Sequence, residues 1–200
     1  MKIKLAKEWG MRQRESFLKQ EPEDIVAHHT GSGEQPNLWI YNKFGSEYCL
    51  RSVEGFHVDI RGWNAIGYHY VVFPDMIYEC RPIDAIGAHV LNHNRGKIGI
   101  LVYGNFNYEH PTNSQKELLK FLIEDIRKRV PKTRNKNILT HGDLANTACP
   151  GENLQLFIDQ LNNKDILVNI NEDKIDLIVE KFQLLEKQFN RYKNLIDGLR

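Results

Sequence analysis

His28, His141 and Cys149 stand far apart along this 200-residue chain, yet their types make one ligand set. Two imidazoles and a thiolate suit Zn²⁺, and three protein ligands leave a fourth coordination position free for water. His28 lies in Ile25-Val26-Ala27-His28-His29-Thr30, and the other two bracket His141-Gly142-Asp143-Leu144-Ala145-Asn146-Thr147-Ala148-Cys149-Pro150. The chemistry such a set supports is metal-assisted hydrolysis. Taken singly, His28 reads equally well as a packed core histidine and Cys149 as a buried thiol.

The elements that must position these residues follow from pattern. Ile25 to His29 reads as a short buried strand, on which adjacent side chains point to opposite faces, so His28 and His29 do not both meet one metal. Gly67 to Phe73 predicts a strand, Pro74-Asp75 a turn and Met76 to Cys80 a hairpin partner. By the same alternation His69 is expected to face away from Tyr68. Lys97 to Tyr103 predicts a third core strand. Ser114-Gln115-Lys116-Glu117 reads as a capping box, after which Leu118, Leu119, Leu122, Ile126 and Val130 recur at helical spacing until Pro131. Asn137 to Thr140 predicts a short strand delivering His141, and Gly151 to Leu161 a closing helix. Trp39, Tyr41, Phe44 and Tyr48 around Gly45 predict a helix and loop, forming either a wall of the site or a cover for the core.

Composition bounds the partners. Charged residues are 26% and hydrophobic ones 41%, and the formal net charge is +1. That balance argues against nucleic acid as a partner, which demands a concentrated basic surface. No apolar run approaches the ~20 residues that span a bilayer, so no membrane insertion is expected. No apolar stretch follows the N-terminal charges, so no signal peptide is expected and the protein is expected either to be kept in a cytoplasm or to be exported by a route its own sequence does not encode. Residues 1–23 read as a basic arm, carrying Lys2, Lys4, Lys7, Arg12, Arg14 and Lys19, either solvated or resting on an anionic polymer. Cys49, Cys80 and Cys149 form no disulfide framework. Residues 24–162 read as the catalytic domain. In residues 163–200, Ile175, Ile178, Phe182, Leu185, Phe189, Tyr192, Ile196 and Leu199 alternate spacings of three and four. This predicts a heptad-repeat helix that forms a homo-oligomer through residues 175–199 or packs back on its own domain.

Taken in order, His28-His29-Thr30, Arg61-Gly62-Trp63, Ile66-Gly67-Tyr68-His69-Tyr70, Gly87-Ala88-His89, Ile98-Gly99-Ile100 with Gly104-Asn105-Phe106, and His141 to Pro150 form a known series. Over about residues 24–160 the chain resembles the zinc-dependent N-acetylmuramoyl-L-alanine amidases of the phage-lysozyme and peptidoglycan-recognition-protein superfamily, and within them most resembles phage endolysins. The resemblance implies an α/β fold with a central mixed β-sheet flanked by helices. It implies bacterial peptidoglycan as partner and Zn²⁺ as cofactor, on His28, His141 and Cys149. The implied reaction is hydrolysis, by a zinc-activated water, of the amide between N-acetylmuramic acid and L-alanine. An endolysin would wait in the host cytoplasm before release to the wall.

The resemblance also distributes roles. Tyr68 matches a tyrosine beside the metal and is expected to act in catalysis, orienting the water or donating a hydrogen bond to the oxyanion. Thr147 stands where many members carry a catalytic lysine; threonine removes that cationic donor but is tolerated in active relatives, and Thr147 is expected to hold a second polar contact in catalysis. His89 resembles a groove residue that contacts the muropeptide, though a surface turn would also explain it, and Asn94 with Arg95 are expected to touch sugar or peptide. Arg81 is expected either to grip a substrate carboxylate through its planar fork or to form a structural ion pair. Members that recycle muropeptides carry glutamates where this chain has Leu101-Val102-Tyr103. Some members that only bind peptidoglycan have lost the ligand cysteine, so Cys149 favours an enzyme over a non-catalytic binding module; a bacterial autolysin or a muropeptide-recycling amidase is the alternative enzyme.

Overall fold

Short runs rich in β-branched residues and buried on both faces make the centre of the sheet. The computed structural model describes residues 3–31 and 33–163, and the heptad pattern of residues 175–199 lies outside them. Six strands, β1 (Ile3–Lys4), β2 (Asp24–His29), β3 (Tyr70–Val72), β4 (Ile77–Glu79), β5 (Lys97–Val102) and β6 (Leu139–Thr140), form one mixed sheet in the order β1-β4-β3-β5-β2-β6. Only the β3–β4 hairpin is antiparallel; β1 pairs β4, and β2 pairs both β5 and β6, in parallel. Helices α1 (Ala6–Trp9), α2 (Leu38–Gly55), α3 (Asn113–Arg129) and α4 (Glu152–Asn162) flank the sheet, with short turns of π or 3-10 helix at Phe56–Ile60, Pro131–Thr133 and His141–Asp143. This is the mixed, helix-flanked sheet that the family resemblance implies. Among the described residues no helix is long and apolar enough to cross a membrane.

Alternation sends each strand's side chains to two different cores. Ile25 and Ala27 of β2, Tyr70 and Val72 of β3, and Ile98, Ile100 and Val102 of β5 meet the apolar stripe of α3 (Leu118, Leu119, Leu122, Ile123, Ile126) and Leu154, Phe157 and Ile158 of α4. Val71, Leu101, Phe73, Tyr78 and Cys80 turn the other way, onto Cys49 and Leu50 of α2 and onto Trp9. His28, paired in register with Leu101, therefore belongs to the α2 side.

Three expectations change. The cap of α3 is Thr112 with Gln115, not Ser114 with Glu117: Thr112 Oγ1 accepts from Gln115 N at 3.1 Å, and Gln115 Oε1 accepts from Thr112 N at 3.1 Å. The strand expected from Gly67 begins only at Tyr70, so Tyr68 and His69 escape strict alternation and both rings approach His89, at 6.3 and 5.8 Å. Residues 3–23 are no solvated arm. β1 extends the sheet edge, Trp9 is buried with its indole N–H on the Glu79 carbonyl, and Arg12 pairs with the buried Glu54 carboxylate and with Asp59. Lys4 and Lys19 likewise meet Glu47 and Asp84, so much of this basic charge is matched within the chain.

Candidate metal centre

β2 is buried and paired on both edges, which fixes the Cα of His28 to the sheet. His141 follows directly from β6, in a single turn (His141–Asp143) whose Asp143 carboxylate accepts from Thr140 N and Oγ1 at 2.6 and 2.9 Å. Cys149 ends the loop that follows. Its return is set by Gly151, at φ 85, where a Cβ would lie 2.6 Å from the Phe106 carbonyl carbon and 2.9 Å from His29 Nδ1. No other residue type fits there without moving backbone.

These three segments converge. The ligand atoms of His28, His141 and Cys149 lie within 4.8 Å of one another. Nδ1 of His28 faces Cys149 Sγ at 3.8 Å, and the His28 and His141 rings are 4.8 Å apart. His29 points to the α3 side, as alternation requires: its Nδ1 accepts from Phe106 N at 3.2 Å, while its own amide points at Cys149 Sγ at 3.4 Å.

Burial controls the electrostatics. It holds the His28 imidazole well below its ordinary value, with His89, His141 and His29 adding repulsion, and lowers His141 as well. It pushes the Cys149 thiol up to about 12, opposed only by the His29 amide. Two neutral rings therefore offer lone pairs beside a sulfur that lacks a counter-charge. A divalent cation fits this donor set: it uses both lone pairs and takes the place of the thiol proton.

Tyr68 joins the cluster, its ring 5.3 Å from that of His28. Burial, then Cys149, raises its phenol above the usual range, so it stays protonated as a donor. It also lines a cleft of about 550 Å³ whose walls include Ile40, Tyr48, Ser52, Val53 and Phe56 of α2 and the turn after it, and Leu101 and Tyr103 of the sheet side. The segment around Gly45 is thus both wall and cover, since Cys49 and Leu50 of the same helix fill the core beneath.

The remaining expected residues are placed differently. Thr147 is exposed, and its Oγ1 accepts from Cys149 N at 3.2 Å, bracing the ligand loop. Arg81 is corrected: it grips no open carboxylate and forms no ion pair among its described contacts. Its guanidinium is buried and donates to the carbonyls of Ile66, Ile86 and Ala65 at 2.7, 2.7 and 3.3 Å, tying the segment before Tyr68 to the segment before His89. Asn94 is spent within its own loop, its Oδ1 accepting from His89 N and Val90 N at 2.7 and 2.8 Å. His89 is neither a surface turn residue nor open to the groove; it is 8% exposed and sits 3.0 Å from His28.

His57 was not singled out by its sequence context. It sits in the π-turn Phe56–Ile60, stacks on Trp63 at 4.6 Å, lies 5.6 Å from the Tyr68 ring, accepts from Gly67 N and lines the cleft. Such turns recur at functional sites, but nothing in the spacing of His57 announces one.

The profile of the N-acetylmuramoyl-L-alanine amidase family matches residues 18–152. The chain belongs to that family. It is 31% identical over 150 residues to Peptidoglycan-recognition protein SC2 of Drosophila melanogaster, covering 74% of this chain and 79% of that protein. Among solved structures, the complex of tracheal cytotoxin with the ectodomains of peptidoglycan recognition proteins LCa and LCx matches with TM-score 0.70 at 31% identity, over 80% of this chain and 95% of that one. The N-acetylmuramoyl-L-alanine amidase LysC from Clostridium intestinale matches with TM-score 0.62 at 28% identity, over 81% and 98%. The cluster of His28, His141 and Cys149 is consistent with the zinc site of this amidase family.

Proposed function

We propose that this chain hydrolyses peptidoglycan at the amide joining N-acetylmuramic acid to L-alanine. The observation that carries the reading is the third ligand: Cys149 converges with His28 and His141 in one cluster within 4.8 Å. Zinc held there would supply the Lewis acid and the lowered water pKa that an unactivated amide needs near neutral pH. The chain's own part is positioning. Tyr68, kept protonated by burial, donates a hydrogen bond to the carbonyl oxygen as it gains charge. Thr147 holds the Cys149 amide and so the loop that sets the sulfur. The cleft beside Tyr68 seats the stem peptide, its size within the ordinary range for ligand sites.

Recognition without cleavage is a second reading, favoured by the names of SC2 and of the LC proteins, which share the fold. Purified cell walls separate the two. Hydrolysis predicts newly freed L-alanine amino groups, and a lytic role of the endolysin kind also predicts falling turbidity of intact walls. Tight sedimentation onto walls with no new amino groups would favour recognition alone.

A further inference from the structure

His28 can reach a metal through either ring nitrogen, and something must choose. We infer that His89 makes that choice: its Nδ1 accepts a hydrogen bond from His28 Nε2–H, which leaves Nδ1 of His28 as the atom offered to the ion. The inference rests on the metal reading of the cluster given above.

The two nitrogens are 3.0 Å apart and the rings stand edge to face at 81°. On the far side of the His28 ring, Nδ1 is the nitrogen turned towards Cys149 Sγ. A ligating histidine commonly donates its other N–H to a carboxylate, a carbonyl or water, which sets its tautomer and its orientation. Here the partner is a second imidazole, built in with some care. Asn94 Oδ1 holds the amides of His89 and Val90. Gly87 and Gly99 flank the ring, and a Cβ at either would fall 2.5 Å from His89 Cδ2. With Nδ1 as acceptor, the His89 proton is on Nε2, a buried atom whose partner is the Lys97 backbone, outside ideal hydrogen-bond geometry. A His89 proton directed to the Lys97 backbone leaves Nδ1 as the bare lone pair offered to its neighbour, and that lone pair positions His28.

Zinc affinity by chelator competition tests it, with cobalt(II) absorption and long-range ¹H–¹⁵N spectra as readouts that packing alone would not move. His89→Ala is expected to weaken zinc binding about 10–100-fold and to shift the cobalt bands, while His89→Gln, whose amide oxygen can accept, recovers much of the loss. In the zinc-loaded wild type, His28 is expected to carry its proton on Nε2 and His89 to have a bare Nδ1; this needs no variant to fold. Wild-type affinity in His89→Ala, or coordination of His28 through Nε2, would overturn the inference and leave the metal reading standing. Unchanged zinc binding in Cys149→Ser would overturn both.

Discussion

The two sides of the sheet are made from the same strands and do opposite work. The side under α3 and α4 is closed and apolar, with Ile25, Ala27, Ile98, Ile100 and Val102 against Leu119, Leu122 and Ile126. The side under α2 is interrupted by His28, His69 and His89, by Gly99 where a side chain would collide with His89, and by the cleft at Tyr68. The first side is held mainly by burial and dispersion, and buried polar groups there, such as His29 and Gln115, are hydrogen-bonded to backbone. Chemistry is confined to the second, where each buried imidazole needs a specific partner.

The largest expected effect falls on the apolar side. Leu122→Ala leaves a cavity in a fully buried position and is expected to cost about 2–5 kcal/mol of unfolding free energy in urea titrations. Zinc affinity of the folded fraction should be unchanged; a parallel loss of zinc would mean the two sides are not separable. On the site side, Tyr68→Phe keeps the ring and loses the donor. It is expected to lower kcat for wall hydrolysis about 10²–10³-fold while leaving melting and zinc binding as they were. An unaltered rate would make the tyrosine structural.

Acid should act on the site side as well. His69 is buried, donates Nε2–H to the Ala85 carbonyl at 2.8 Å and accepts from Gly99 N at 3.0 Å, and burial lowers its pKa to about 4. Above about pH 6.5 the ring is neutral in both folded and unfolded chains, and no penalty arises. As pH falls from 6.5 towards 4, only the unfolded chain takes the proton, so stability drops, by at most about 3 kcal/mol from this residue. His69→Asn should therefore flatten the acid limb of stability against pH; an identical slope would show that other groups set it. The smallest effect belongs to the exposed pair Lys19–Asp84, where Lys19→Ala should change stability by less than about 1 kcal/mol. A larger loss would give the N-terminal segment a weight its surface contacts do not explain.

The contrast also governs what could be read from the chain. Leu118, Leu119, Leu122 and Ile126 announce α3 because an amphipathic stripe repeats. The ligand set was legible because His28, His141 and Cys149 fall in the ordered series of motifs that carries the family resemblance. Arg81 and Asn94 were not legible, because their partners are backbone carbonyls and amides, which leave no trace in side-chain pattern. The N-terminal segment was missed for a related reason: a two-residue strand and one anchoring tryptophan have no period, and only the folded β4 edge reveals where Ile3 and Lys4 go. His89 kept its chemistry but changed its place, from the substrate groove to the side of His28.

Metal content measured on purified wild type and Cys149→Ser, with chelator titration of each, tests the central claim most directly. The account predicts one zinc per wild-type chain, none retained by the serine variant, and wall hydrolysis lost with the metal. One zinc per chain in both proteins, with equal affinity and undiminished hydrolysis, would contradict it.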